Sequence, residues 1–233
     1  VGSEMCIRDS LSTLFASCQG QINSLLSYSL DTLQQWVTEP DTVVLEVFIG
    51  QGHFTAALAA AGVPTGPGFE CTKKTYGRRW NLASAEDQAH WCWLIIDVIR
   101  PRGIHLALPC GPWSSLGSHN PGEEAWSLAR LTMDTMEYQE SQGRLASFEG
   151  PYVHALLKTP EWIQRFGPKE SPSPPWQYAR LDGCMCRVIS PDPVDDGKPM
   201  LKSYGIVANF DVSRLRIPVS YTHLRAHETR GNL

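Results

Sequence analysis

One stretch in the first quarter of the chain constrains the fold more than any other. Residues 43–49, Val-Val-Leu-Glu-Val-Phe-Ile, form an apolar run rich in β-branched residues, which predicts a buried strand. Gly50-Gln51-Gly52 follows at once, and the alanine-rich residues 54–61 then favour a helix. A strand, a glycine turn and a helix in this order predict a βα unit whose backbone a ligand can approach closely.

The chain continues to alternate between strand and helix patterns after this unit. Helices are predicted at residues 84–99 and 122–143, and strands at 104–108 and 145–148, with a weaker strand at 65–70 that contains two glycines and Pro67. Alternation with short loops implies βαβ units. We therefore predict an α/β fold with a Rossmann-like, doubly wound, mostly parallel sheet.

The flanking regions predict smaller elements. The expected organisation is an N-terminal helix within residues 11–40, a Rossmann-like domain at 41–151, and a C-terminal helix, linker and small β appendage at 152–218. The N-terminal helix is predicted at Gln21–Val37, where apolar residues recur at spacings of three and four. A proline- and serine-rich linker covers residues 168–175, and two strands are expected at 180–189 and 200–209.

The two ends of the chain look artificial. Residues 1–9 and 219–227 can be encoded by one DNA segment read in its two orientations, and that segment resembles an adapter used in sequencing libraries. We therefore expect residues 1–10 and 219–233 to be foreign to the native protein.

Composition narrows the function classes. The net charge of −4 argues against a protein that coats nucleic acid non-specifically, although an enzyme with a local basic rim is compatible with it. The cysteines lack the dense spacing of a disulfide scaffold, and no apolar run of membrane-spanning length occurs. We expect an intracellular protein, cytoplasmic or nuclear, without a membrane partner. Cys184-Met-Cys186 lacks the second pair that a zinc site needs, so no metal is expected.

The glycine turn and its acidic neighbours favour an adenosyl cofactor. Glu46 lies four residues before Gly50, and Thr55 stands where the nicotinamide-binding fingerprint wants a third small residue. Glu70, at the end of the predicted second strand, can accept hydrogen bonds from both ribose hydroxyls.

These residues resemble a known family. Glu-x-Phe-x-Gly-x-Gly-x-Phe is similar to the first motif of the cytosine-5 nucleic-acid methyltransferases, in which Asp usually replaces the glutamate. The resemblance implies S-adenosylmethionine as cofactor, and its candidate binding residues are Glu46, Phe48, Gly50, Gly52, Phe54, Glu70, Asn81 and Pro109. By this resemblance Phe48 packs on the adenine, the two glycines line the methionine portion and Glu70 holds the ribose. Asn81 falls where the family often has an Asp that contacts adenine, although a residue without a binding role explains it equally well.

Two further motifs supply the predicted chemistry. Pro109-Cys110 follows a buried strand, and a thiolate at such a strand end can attack an electron-poor ring carbon. In the family the corresponding cysteine adds to C6 of cytosine, so Cys110 is the candidate nucleophile. Glu149 closes the next strand and resembles the glutamate that hydrogen-bonds or protonates N3 of the base, as a general acid would. The alternatives are a structural cysteine and a solvated glutamate.

The departures from the family keep other functions open. Gly111, Trp113 and Gly150 replace its usual Gln, Phe and Asn, and its Gln-x-Arg-x-Arg motif is missing. The region after Pro151 is short for target recognition, which leaves DNA, RNA and single strands open as substrates. One rival is a catalytically inactive methyltransferase-like binding module of the kind found in mobile elements. Another is a methyltransferase for a different substrate.

Overall fold

The computed structural model describes residues 43–66, 68–72, 74–75, 78–114, 121–182 and 203–215. The predicted helix Gln21–Val37, both artificial-looking ends and Cys184-Met-Cys186 lie outside these residues. Within them, contacts divide the chain into two compact units. The first comprises the described residues up to Leu108 together with Glu123–Ser147, and the second comprises those of 109–122 and of 148–233.

The strands and helices alternate along the chain. The strands are β1 (Val44–Val47), β2 (Lys74–Thr75), β3 (Arg78–Arg79), β4 (Gly103–Leu106), β5 (Leu145–Pro151), β6 (Gln177–Asp182) and β7 (Ser203–Ala208). The α-helices are α1 (His53–Ala60), α2 (Ala85–Trp93), α3 (Glu123–Ser141) and α4 (Pro160–Phe166). A π-helical turn, Leu94–Val98, extends α2, and short 3₁₀ helices cover Gly111–Trp113, Ala155–Lys158 and Ser213–Leu215.

One five-stranded sheet has the order β1-β4-β5-β7-β6, and β2 and β3 form a separate antiparallel pair. β1 and β4 run parallel although two helices separate them in the chain, which is the crossover connection of an α/β fold. β6 and β7 pair antiparallel. The predicted Rossmann-like α/β fold is confirmed, and the strands of the predicted appendage continue its sheet.

The first unit has an aromatic and aliphatic core. Phe69 packs edge-on against Trp80 and Trp91, with ring centroids 5.0 and 4.9 Å apart. All four residues of β4 are buried, as expected for a strand in the interior of a sheet. α2 begins at the cap Ser84, whose side chain accepts a hydrogen bond from the backbone of Asp87. Helix α1 differs from this core because none of its residues is buried.

The predicted second strand at 65–70 is an extended segment with isolated bridges. Thr65 and Phe69 each make a single parallel bridge to β1, and the Phe48 N–H donates to the Phe69 carbonyl over 2.8 Å. A Cβ atom at Gly68 would lie 2.7 Å from Cβ of Ile49, and one at Gly66 would overlap the Leu45 side chain. The two glycines that weakened the strand prediction therefore allow this segment to approach β1 closely.

The second unit also has an aromatic core. Rings follow one another in contact from Phe148 through Trp162 and Phe166 to Trp176, with centroid separations of 5.1, 4.5 and 4.8 Å. α4 begins at Pro160, after the Thr159 side chain caps the Trp162 N–H. A 3₁₀ turn, Ala155–Lys158, precedes α4, and Pro160 lies at the boundary between the two. None of the helices in the described part of the chain has the length and apolar character needed to cross a bilayer.

Candidate functional site

The loop after β1 turns through three residues in the left-handed region of backbone conformation. Phe48, Gly50 and Gly52 have φ values of 61°, 50° and 75°, and the Gly52 N–H donates to the Ile49 carbonyl over 2.7 Å. Such a φ is strained for a bulky residue like Phe48 and unstrained for glycine. Strain held at a strand end is typical of ligand-binding loops.

The backbone of this loop is accessible at its first glycine. Gly50 is exposed, and nothing lies within 4 Å of the position that a Cβ atom would take there. Gly52 is closer to the protein, with the Ile49 side chain 3.3 Å from the corresponding position. A ligand can therefore reach the peptide groups around Gly50 without displacing a side chain.

Glu70 lies next to this loop and is held by backbone donors. Its Oε2 accepts from the Gly50 N–H over 3.4 Å, and its Oε1 accepts from the Cys71 N–H over 2.7 Å. Burial alone would raise the pKa of Glu70. Hydrogen bonds from the Cys71 thiol and from the Cys71, Gly50 and Thr72 backbones outweigh burial, so the pKa lies below its ordinary value. At neutral pH the residue is an ionised acceptor beside an open loop, which suits a ligand with neighbouring hydroxyl groups.

Glu46 has a different role in the local structure. It is buried in β1, with 5% of its surface exposed, and its Oε2 accepts from both the backbone N–H and the hydroxyl of Thr55, over 2.9 and 2.5 Å. A carboxylate that accepts from the first turn of a helix satisfies a backbone donor that the helix leaves unpaired. Glu46 therefore ties α1 to β1, and a direct contact with a cofactor stays a prediction.

A second buried polar contact supports the same helix end. The His105 ring stacks on the Phe54 ring with centroids 4.1 Å apart, and its Nδ1 lies 2.9 Å from the hydroxyl oxygen of Ser147. His105 is the register partner of Glu46 in the parallel β1–β4 pair. Sequence reasoning did not assign a role to Thr55, His105 or Ser147. Strand register was the missing signal, because it places Glu46 and His105 side by side beneath the start of α1.

Asn81 lies in the turn before α2. It is exposed, its backbone N–H donates to the Asp87 carboxylate over 2.5 Å, and its Oδ1 accepts from the Ala83 N–H over 3.3 Å. These bonds are those of an ordinary Asx turn that leads into a helix. The predicted contact with adenine stays a prediction.

The candidate nucleophile belongs to the second unit. Pro109 is exposed and Cys110 is half-buried with a free thiol, directly before the 3₁₀ turn Gly111–Trp113. The Cys110 carbonyl accepts from the Trp113 N–H over 3.0 Å, and Trp113 is buried. The buried tryptophan therefore anchors the turn on which the thiol stands.

The candidate acid lies on β5 of the same unit. Glu149 is half-buried between two buried residues, Phe148 and Gly150. A Cβ atom at Gly150 would lie 2.6 Å from Cδ2 of the His154 ring, which is itself fully buried. The space that the asparagine of the cytosine-5 methyltransferases would need is thus occupied by His154.

The predicted site residues fall into two groups. Six of the candidate cofactor residues lie on the first βα unit or the segment beside it: Glu46, Phe48, Gly50, Gly52, Phe54 and Glu70. Asn81 lies further along the first unit, whereas Pro109, Cys110 and Glu149 lie in the second. Their roles in binding and catalysis remain predictions.

Comparison with known proteins identifies structural likeness alone. Neither a protein-family model nor a curated protein matches the chain. Among solved structures, the S. pombe Dnmt2 methyltransferase is similar at a TM-score of 0.42 and 11% identity over 73% of this chain. An antibiotic-related methyltransferase is similar at 0.37 and 13% over 76% of this chain and 92% of its own. The chain spans half the length of the Dnmt2 structure, and at these scores neither likeness bears on activity.

Proposed function

We propose that this protein is an S-adenosylmethionine-dependent methyltransferase that resembles the cytosine-5 nucleic-acid methyltransferases. The observation that carries the proposal is the contact between the open, left-handed glycine loop after β1 and the ionised carboxylate of Glu70. In α/β folds, ligands bind at the carboxyl ends of the strands, where such loops lie. S-Adenosylmethionine supplies an electrophilic methyl group when it is bound.

The candidate residues of the first unit have separate roles in this proposal. Glu70 accepts hydrogen bonds from the ribose hydroxyls, and the exposed backbone around Gly50 lies against the methionine portion. Glu46 and His105 keep the start of α1 fixed relative to β1 through Thr55 and Phe54. Buried contacts therefore preorganise the loop before a ligand binds.

The second unit supplies the reaction with the base. As a thiolate, Cys110 would add to C6 of a cytosine, and the addition would make C5 nucleophilic enough to take the methyl group, with S-adenosylhomocysteine as the leaving group. Loss of the C5 proton and elimination of the Cys110 thiolate would then restore the ring and free the enzyme. Glu149 hydrogen-bonds or protonates N3, which stabilises the charge that develops on the ring. The half-buried position of Cys110 beside an anchored turn supports this role, since a reactive thiol must be reachable by its substrate.

One observation favours the rival function of a catalytically inactive binding module. His154 fills the space beside Gly150, so the family's asparagine next to Glu149 has no room in this chain. A cofactor-binding module that does not methylate cytosine would have no need for that asparagine. The two functions make the same prediction for cofactor binding and opposite predictions for covalent attack on a base.

Calorimetric titration with S-adenosylmethionine and S-adenosylhomocysteine tests the shared prediction. We expect micromolar binding that Glu70→Ala weakens by at least about tenfold, a loss of about 1.4 kcal/mol. Glu86→Ala, which removes an exposed carboxylate of α2 in the same unit, is the matched control and leaves the affinity unchanged. Absence of binding by folded protein would refute the proposal.

Trapping with a 5-fluorocytosine oligonucleotide separates the enzyme from the inactive module. The enzyme forms a stable covalent adduct in the presence of S-adenosylmethionine, and Cys110→Ser abolishes it. Cys71→Ser, at the exposed free thiol beside Glu70, keeps a hydroxyl that can donate to the Glu70 carboxylate and leaves the adduct intact. Cofactor binding without an adduct on DNA or RNA would exclude the cytosine-5 enzyme and leave the inactive module or a methyltransferase for a different substrate.

A further inference from the structure

The second unit carries a cluster of two cations and one aromatic ring that the proposed chemistry does not use. The Lys169 ammonium nitrogen lies 3.3 Å from the centroid of the Tyr152 ring, and the Arg180 guanidinium carbon lies 4.9 Å from the same centroid. Both cations are therefore held around one ring, where each gains from the ring's electron density. We call Tyr152, Lys169 and Arg180 the Tyr152 cluster.

The cluster is built on fixed backbone. The Tyr152 N–H donates to the Ser203 carbonyl over 3.0 Å, which attaches the ring's residue to β7. Arg180 lies on β6 and donates through a terminal nitrogen to the Ser203 hydroxyl over 3.0 Å. Its Nε donates to the carboxylate of Asp182 over 2.9 Å, and Asp182 is buried. The guanidinium is thus oriented before any ligand arrives.

The charge of the cluster is only partly compensated. Asp182 pairs with Arg180, whereas none of the salt bridges within the described residues involves Lys169. The Arg180 side chain remains 48% exposed despite its ion pair. Two cations around one ring, of which only Arg180 pairs with a carboxylate within the described residues, leave a local excess of positive charge, although the whole chain carries −4. Such a local excess favours an anionic partner.

The position of the cluster indicates what that anion is. Tyr152 directly follows β5, the strand that carries Glu149, so the aromatic ring is three residues from the candidate acid. A base that reaches Glu149 brings its flanking phosphates with it, and lysine and arginine around an aromatic ring suit a sugar–phosphate backbone. We propose that the Tyr152 cluster binds the phosphodiester backbone of a single-stranded nucleic acid. The inference rests on the proposed function for the identity of the strand.

Fluorescence anisotropy with the full chain tests this binding surface. The probes are labelled single strands of about 12 nucleotides, one of DNA and one of RNA. We expect Lys169→Gln to weaken binding about tenfold, and to reduce the slope of log K against log salt by about 0.7 between about 50 and 200 mM KCl. Lys158→Gln, at an exposed lysine of the same unit, changes the affinity by less than about twofold if Lys169 makes a specific phosphate contact.

A second variant separates loss of binding from loss of folding. Arg180→Gln would leave the buried Asp182 without its cation and can unfold the unit, whereas Arg180→Lys keeps a positive charge there but not the planar fork. We expect Arg180→Lys to keep the circular dichroism spectrum of the wild type and to bind about threefold more weakly. An equal effect of Lys169→Gln on both probes means that the shared backbone is read, and an effect on one probe identifies the preferred strand.

Three results would overturn the inference: no binding of either probe by the wild type, an unchanged salt slope in Lys169→Gln, or equal effects of Lys169→Gln and Lys158→Gln. Titration of S-adenosylmethionine on the same samples distinguishes this failure from failure of the proposed function. Cofactor binding with no effect of Lys169 removes only the Tyr152 cluster. A Lys169 effect without cofactor binding removes only the methyltransferase.

Discussion

Two buried histidines, one in each unit, have opposite surroundings. His105 in β4 is 5% exposed, has Ser147 within hydrogen-bonding distance and stacks on Phe54 at the start of α1. His154 is fully buried, and neither of its ring nitrogens has a hydrogen-bond partner among the residues that the structure describes. It contacts the rings of Phe148 and Trp113 instead. Burying a polar group without a partner costs free energy, so His154 carries a cost that Nδ1 of His105 avoids.

The two units support their candidate site residues with different kinds of contact. The first unit places a partnered polar network under the glycine loop, with Glu46 bonded to Thr55 and His105 to Ser147. The second unit places aromatic packing under Cys110 and Glu149, with Trp113 and Phe148 both on His154. The stability of the first arrangement depends on hydrogen-bond geometry, and the stability of the second depends on how fully side-chain volume fills the core. Four sets of variants test this difference.

The largest effect is expected in the aromatic core of the second unit. Trp162→Ala removes a fully buried ring that contacts Phe148 and Phe166, and it takes away the donor to the Tyr178 hydroxyl. We expect the free energy of unfolding in urea to fall by about 3–5 kcal/mol. Trp126→Ala, at a half-buried tryptophan of α3, is the control and costs much less. Similar losses in the two variants would contradict a volume-dependent second unit.

The second-largest effect is expected from the acid sensitivity of His154. Burial lowers the pKa of His154 from 6.5 to about 4. The unfolded chain therefore binds a proton on this residue between pH 6.5 and 4 while the folded protein does not, and stability is lost as the pH falls through that window. His154→Phe keeps an aromatic ring and removes the titration. We therefore expect the free energy of unfolding of His154→Phe, relative to that of the wild type, to rise by about 3 kcal/mol from pH 7 to pH 4. His53→Gln, at an exposed histidine, is the control. Parallel pH profiles of wild type and His154→Phe would contradict this assignment.

The carboxylate under α1 gives the third test. Thr55→Val removes the hydroxyl that donates to Glu46 and keeps the shape of the side chain, whereas Thr55→Ser keeps the hydroxyl. A hydrogen bond to a buried charged group contributes about 1.5–3 kcal/mol, so we expect Thr55→Val to lower the free energy of unfolding by about 2 kcal/mol. Thr55→Ser should cost less than about 1 kcal/mol. If Thr55→Val and Thr55→Ser lowered the free energy of unfolding equally, the bond from the Thr55 hydroxyl to Glu46 would not stabilise the start of α1.

The smallest effect is expected at Ser147. Ser147→Ala leaves Nδ1 of His105 without its hydroxyl partner, at a cost of about 1 kcal/mol. Ser141→Ala is the control, since its hydroxyl donates to the Tyr138 carbonyl and accepts from the Gln142 side chain, both of them close in the chain. Differential scanning calorimetry of the two variants measures the difference. Addition of S-adenosylmethionine should narrow the difference between the two variants if the stacking of His105 on Phe54 supports the loop after β1.

Local patterns in the sequence predicted the elements that position the site. The apolar run before Gly50 and the alanine-rich run after it gave β1 and α1 correctly, because strand and helix periodicities are local properties. The segment at 65–70 was predicted less well, since its pairing with β1 depends on contacts between distant residues. The strand predicted from residue 180 begins three residues earlier, at Gln177, and its partner begins at Ser203.

The supports of the candidate site were beyond the reach of sequence reasoning. Motif spacing identified Glu46 as an acid near the loop, but only strand register and burial assign its carboxylate to Thr55. His154 is a similar case, because its effect on Gly150 arises from packing across a turn. A departure from a family motif could be read in the sequence at Gly150, and its steric cause required the structure.

The close approach of the 65–70 segment to β1 has a consequence for how this protein can vary. At Gly50 a side chain meets open space, so the asparagine and aspartate that tolerate left-handed backbone can be accommodated there. At Gly66 and Gly68 even an alanine methyl group overlaps Leu45 or Ile49, and relief requires the segment to move away from β1. That movement would carry Glu70 with it. In a mutational scan, Gly66 and Gly68 would therefore tolerate substitution less than Gly50, although neither of them lies in the loop after β1.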